Sequence, residues 1–292
     1  MKRWIVLMGI AMVCVCSASS KNNWEFLDNG TVRIGVDLSR GACIGFFGES
    51  KTKRNLLNHY DEGRFIQQSY YGQEDGSDWN GKPWVYNPIQ GGSWERVPAK
   101  VHVFEKTSEK LYAKIEPRHW ASGELCPEIG MEQAITLDGP VAKITFSMTY
   151  VGPDQGVPRH QEMPAVFIDG ALTNFFYIKA GRLTCEAPRI LAENGRDGQV
   201  GLGLGQSSAE WVAYVDDRNW GIGIYTPGTP AFTVYRALGD GTTGESGSAC
   251  SYVAPLRTFS LTAGLVLEYD VYLTVGTLSE IEAVFRLLQQ GR

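Results

Sequence analysis

The period of two in residues 143–150 constrains this chain more than any other feature. Ile144, Phe146, Met148 and Tyr150 fall on one side of an extended backbone, with Lys143, Thr145, Ser147 and Thr149 on the other. That alternation marks an antiparallel strand with one face in a core and the other in water. Similar runs occur at 32–38, 101–105, 111–116, 131–137, 165–169, 211–215, 221–225, 259–261 and 267–275. Turn dipeptides such as Asn29-Gly30, Asp138-Gly139 and Asp240-Gly241 separate many of them. Only residues 278–289 show helical spacing, through Ile281, Val284, Phe285 and Leu288, with Ser279 as the expected cap. Many short strands and one late helix predict an all-β fold of two packed antiparallel sheets, not βαβ units. No repeat or charged linker divides the chain, so residues 21–292 read as one domain. The stretch from Ser69 to Trp94 breaks the strand rhythm and reads as a long functional loop.

Residues 1–20 read as a secretion signal. Lys2 and Arg3 precede an uncharged run from Trp4 to Cys16, and Ser17, Ala18, Ser19 and Ser20 offer small residues for cleavage. The apolar run falls short of the ~20 residues that a membrane span needs. A secreted or periplasmic protein is expected, with a lipoprotein anchored at Cys14 or Cys16 as the lesser alternative. Cys43, Cys126, Cys185 and Cys250 remain after cleavage. Their wide spacing argues against a zinc cage and leaves two alternatives, a pair of disulfides or buried free thiols.

The formal net charge of -5 supplies no basic field for nucleic acid. Eight Trp and 13 Tyr against four His make the chain aromatic-rich, and aromatic rings can cover the apolar C–H faces of a sugar while Arg, Gln and Asn bond its hydroxyls. Arg64, Gln67, Gln68, Tyr70 and Tyr71 cluster in one segment, and Trp79, Trp84, Asn87 and Gln90 continue that chemistry. Arg118, His119 and Trp120 form a second candidate rim. His160 and Glu162 stand two apart, which places them on one face of a strand. Glu162 is the first candidate for proton transfer, with His160 as its partner and Arg159 as a sugar contact. Glu132 is the candidate second carboxylate that glycoside hydrolysis requires, and Asp75 and Asp78 are weaker ones. No metal-ligand spacing, HExxH, GxSxG or phosphate-loop motif is present, so no metal or cofactor is expected. Gly201, Gly203 and Gly205 read as strand or turn glycines, and Asp216-Asp217 as a hairpin turn.

Gly41-Ala42-Cys43-Ile44, then Asn55-Leu56-Leu57, then Asn87-Pro88-Ile89-Gln90-Gly91-Gly92 follow one another in a familiar order. With Arg159-His160-Gln161-Glu162 and the closing run from Ala263 to Gly276, they resemble the galactose mutarotase-like proteins. The resemblance spans nearly the whole mature chain and implies a two-sheet β-supersandwich, with His160 at the family's mid-chain catalytic histidine. Two departures stand out. Gln90 replaces the first histidine, and no carboxylate near 249–255 matches the family's late base. The leading expectation is therefore a secreted glycoside hydrolase working by acid/base catalysis on an oligo- or polysaccharide. The alternatives are a lyase on an acidic glycan, with Arg64 or Arg159 neutralising the uronate, a non-catalytic sugar-binding protein, and an aldose epimerase. The expected partner is a carbohydrate, with no nucleic acid and no integral membrane span.

Overall fold

The computed structural model describes residues 23–191, 197–198 and 202–291. The predicted leader and Gly201 lie outside them.

A nine-stranded sheet forms the larger layer. Its centre is the ladder of Val266–Thr277, Val141–Tyr150 and Ile129–Asp138. Register across this ladder pairs Ile144 with both Ile135 and Val271, and Phe146 with Tyr269. The inward parity predicted for 143–150 is thus continued by its neighbours, and Ile144, Phe146 and Met148 are fully buried. The second sheet has Cys250–Phe259 at its heart, flanked by Ala231–Ala237 and, successively, by Arg159–Glu162 and Val166–Asp169. A three-stranded sheet, Trp24–Asp28, Val32–Asp37 and Cys43–Glu49, adds Ile34, Val36 and Phe47 to the same core. Nearly every pairing is antiparallel, the parallel contact of Arg189–Leu191 with Ala231–Ala237 being an exception.

The helix Leu278–Gln290 lays Ile281 and Phe285 on the outer face of the large sheet, where Phe285 meets Trp211 and Tyr225. Its cap is Thr277 and not Ser279. Glu280 three residues on bonds back to Thr277, closing a capping box that Ser279 would set out of phase. Strand boundaries shift similarly: of residues 259–261 only Phe259 is in a strand, as the end of Cys250–Phe259.

The predicted loop between Ser69 and Trp94 is largely ordered. Glu74–Trp79 and Lys82–Val85 form a hairpin, and Pro88–Ile89 pairs with Arg118–His119. Asn80 and Gly81 take positive φ at its turn, the conformation that tight hairpins require. The turn signal was present, but the charged Glu74–Trp79 hides the strand period.

Cys43, Cys126, Cys185 and Cys250 are all free thiols, and only Cys185 is exposed. The disulfide alternative is thereby set aside for these four positions. Under native conditions a thiol-alkylating reagent should modify Cys185 and spare the other three until the chain is unfolded. Intact-mass spectrometry reads this directly, and early labelling of Cys43, which is fully buried, would contradict the packing. No helix among the described residues is long and apolar enough to cross a membrane.

Candidate active site

A cavity of about 460 Å³ opens where the second sheet meets the segment 61–71 and the hairpin. Its polar wall carries Asp61, Glu62, Arg64, Gln67 and Glu162, and its aromatic wall includes Tyr71, Trp79, Trp94, Trp120, Tyr235 and Tyr252. Tyr235 stacks on Tyr252 at 4.3 Å between ring centroids, and Phe167 meets the other side of Tyr252 at 4.6 Å. Trp79 packs edge-on against Trp84 at 4.5 Å and Trp120 at 6.0 Å. Rings presented this way can cover the C–H face of a pyranose, while nearby carboxylates and amides bind its hydroxyls.

The carboxylates differ in their commitments. Glu62 accepts from Arg40 Nη2 at 2.9 Å and lies 3.5 Å from Arg96 Nε. Asp61 pairs with Arg64 Nε at 3.2 Å, and Arg64 also donates to the Ser248 carbonyl at 2.8 Å. Glu162 has no ion pair among the described residues. Its Oε2 accepts the Tyr252 hydroxyl at 2.6 Å.

Burial, and then the negative charge of Glu162, hold the Tyr252 phenol well above the usual tyrosine range. Tyr71 keeps 39 % of its surface exposed on the open side. Removal from water and the adjacent Glu162 nevertheless push it up to about 12. Both phenols therefore stay protonated at neutral pH and serve as donors. A phenol whose proton is held more tightly in the folded chain contributes stability that is complete below pH ~10 and lost as pH rises through its folded value. The fold should accordingly hold to pH ~10 and then unfold, with phenolate absorbance and loss of near-ultraviolet circular dichroism rising together. Full phenolate absorbance below that pH, with structure intact, would contradict the burial of Tyr252.

The structure brings Glu162, Arg64, Gln67, Tyr71, Trp79 and Trp120 to one cavity and places the other sequence candidates elsewhere. Tyr70 points opposite to Tyr71, as neighbours in an extended chain do. It is buried against Phe259, and its hydroxyl accepts the Leu261 N–H. His160 shares the face of Glu162, but two residues of strand (~7 Å) carry it beyond the cavity, where it is exposed and bonds Thr258 Oγ1 at 2.7 Å. Arg159 lies at the exposed start of that strand and does not line the cavity, where the arginines are Arg64, paired with Asp61, and Arg96, beside Glu62.

Glu132 is on the outer face of the large sheet, accepting Tyr112 at 2.6 Å and facing Lys114 at 3.3 Å. Its inward neighbours Met131 and Gln133 occupy the core side. Trp84 donates to Asn87, and buried Asn87 donates to the Tyr70 carbonyl. Gln90 is wholly buried among backbone groups and Gln133. His119 accepts the N–H groups of Ala121 and Ser122 on Nδ1, leaving Nε2–H to donate to Asp75 at 2.8 Å. It clamps the hairpin to the following turn. Asp78 caps the hairpin turn at Gly81. Among the described residues, no group of three His, Cys, Asp or Glu is placed to hold a metal ion.

No family model matches the sequence, and no curated protein matches it. Solved structures do. A candidate aldose 1-epimerase from Escherichia coli K12 superposes with a TM-score of 0.54 at 14% identity, covering 87% of this chain and 99% of that one. A galactose mutarotase-related enzyme from Lactobacillus acidophilus gives 0.53 at 11% identity, covering 86% and 97%. The chain has a galactose mutarotase-like fold. A galactose mutarotase-like protein from Lactobacillus casei gives 0.50 at 11% identity, covering 86% and 99%.

Within this galactose mutarotase-like fold, the region 249–255, where the sequence lacks the family's late carboxylate, carries Tyr252. The carboxylate that Tyr252 holds comes from another strand, at Glu162. Trp94, Phe167, Tyr235 and Tyr252 are site residues that sequence reasoning missed. Each sits on a separate segment, and nothing local to any of them signals a cavity.

Proposed function

We propose that the protein performs acid/base chemistry at the anomeric carbon of a sugar, of the aldose-epimerase type. The observation that carries this reading is Glu162. It is the cavity carboxylate left without an ion pair among the described residues, held in place by a phenol and surrounded by aromatic rings. In this reaction a base takes the proton of the anomeric hydroxyl while an acid gives a proton to the ring oxygen as the C1–O5 bond opens. The aldehyde turns, the ring closes on its other face as O5 returns its proton to the acid, and the base returns the first proton to O1. Glu162 would be the base. Tyr71, still protonated at neutral pH, would be the donor to the ring oxygen, in the role that an imidazole would otherwise fill. The fold likeness to aldose epimerase-type structures supports the same reading. The leader-like residues 1–20 would place this activity outside the cytoplasm.

Hydrolysis, the leading expectation from sequence, asks for two carboxylates with separate roles. Asp61 and Glu62 share the cavity with Glu162, but arginines engage both. That commitment favours the one-carboxylate reaction. Exchange NMR between the α and β anomers of free hexoses tests the proposal. Wild-type protein should accelerate exchange for at least one hexose, and Glu162→Gln and Tyr71→Phe should lose most of it. New reducing ends from an oligosaccharide, with no anomer exchange on any free hexose, would establish hydrolysis instead.

A further inference from the structure

A second depression of about 310 Å³ adjoins the cavity, lined by Tyr71, His160, Glu162, Leu204, Thr233 and Leu256. Tyr71 and Glu162 line both hollows, so the Glu162 carboxylate stands where one passes into the other. The groove has the composition of a sugar platform. Leu204, Leu256 and the Tyr71 ring offer apolar surface, while Thr233 and His160 offer hydroxyl and imidazole partners.

The parts of this junction are fixed to one another. Gln161, fully buried between His160 and Glu162, accepts the Tyr71 N–H at 2.8 Å and donates to the Tyr71 carbonyl at 3.0 Å. Tyr71 is thereby stapled to the strand that bears His160 and Glu162. The bond from His160 Nδ1 to Thr258 Oγ1 sets the ring plane. No described residue bonds Nε2, which is left for a ligand.

We infer that this groove is a subsite for a second sugar, and that the ligand is a reducing oligosaccharide whose second unit is joined next to the anomeric carbon. The inference rests on the proposed reaction, because Glu162 acting at C1 decides which end of the ring faces the groove. A substituent on O4 departs from the far side of the ring, away from Glu162. A substituent on O2, one carbon from C1, departs toward the groove and leaves the anomeric hydroxyl free to react.

The test compares glucose with sophorose (O2-linked) and cellobiose (O4-linked), and galactose with 2-O-α-fucosylgalactose. Anomer exchange is measured by NMR and affinity by calorimetry on Glu162→Gln protein. For at least one parent hexose, the O2-linked form should exceed it about tenfold in kcat/KM and in affinity, while cellobiose matches glucose. Filling the groove with Leu256→Trp should bring that ratio to about one. Leu204→Trp repeats the test from the rim, where the parent side chain is 67 % exposed and folding is least at risk.

Equal values for O2-linked and parent sugars, or a ratio untouched by both tryptophans, overturn the subsite and leave the epimerase reading standing if free hexoses exchange. Tenfold tighter O2-linked binding without any anomer exchange overturns the reaction and keeps the subsite. Absence of both binding and exchange across the panel overturns both.

Discussion

Glu162→Gln should turn over its sugar about 10²- to 10⁴-fold more slowly than the wild type, with affinity for that sugar changed little. Glutamine keeps the volume of the side chain and an oxygen that accepts the Tyr252 hydroxyl now bonded at 2.6 Å. What it loses is the capacity to take a proton. Removing an interaction made only in the transition state lowers kcat and kcat/KM together and spares ground-state binding. Calorimetry and anomer-exchange rates on the same preparations separate the two quantities. Tyr252→Phe is the companion variant. It retains the stack with Tyr235 at 4.3 Å and removes only the donor to Glu162, so its rate loss should be smaller, at about tenfold. A Glu162→Gln protein that exchanges anomers at the wild-type rate would remove Glu162 from the reaction. Unchanged binding with no turnover by either protein on any sugar would make the cavity a binding site alone.

The strands were legible because one-sided burial writes itself into alternate residues, as in residues 129–135 and 142–150, whereas Val271–Thr274 are buried on both faces where Tyr272 joins the cluster under the helix. The cavity was legible where it draws on one continuous stretch and on Trp79 and Trp120, whose rings suit a sugar. Arg64, Gln67 and Tyr71 come from eight residues of chain, and Glu162 was reachable from its place beside His160. The remaining wall is assembled from positions 94, 167, 235 and 252, which only the folded sheet brings together. Polar residues misled for a definite reason. Asn87, Gln90 and His119 carry groups that suit a sugar, and the same groups suit an irregular buried backbone, which also needs donors and acceptors. The segment Ser69–Trp94 leaves its ladder at several points, and these side chains supply the missing bonds. Sequence offers no local sign of which partner a buried amide will meet. Tyr70 and Tyr71 show the same limit in two adjacent letters, one in the core and one in the cavity.

Gln90, which stands where the mutarotase resemblance expects a histidine, should prove essential to folding. Its Nε2 donates to the Gly41 carbonyl at 3.2 Å and to Gln133 Oε1 at 2.9 Å, and its Oε1 accepts the Gln68 N–H at 3.1 Å. Gln133 in turn donates to the Ala42 carbonyl at 2.6 Å. The amides thus satisfy a tight bend in which Gly41 has φ of 56° and a Cβ would come within 1.9 Å of the Gln90 carbonyl oxygen. Gln90→Leu strands three buried polar groups at about 1–3 kcal/mol each, so a loss of about 3–9 kcal/mol is expected. For a domain of this size that corresponds to a melting point lower by roughly 6–36 °C. Gln90→His is the sharper variant. A neutral imidazole offers one donor and one acceptor, so it can satisfy at most two of the three bonds and should lose about a third to a half as much stability. It should not raise anomer exchange, because position 90 faces the core and does not line the cavity. A Gln90→His protein that melts with the wild type and exchanges anomers faster would show instead that a histidine at this position reaches the sugar.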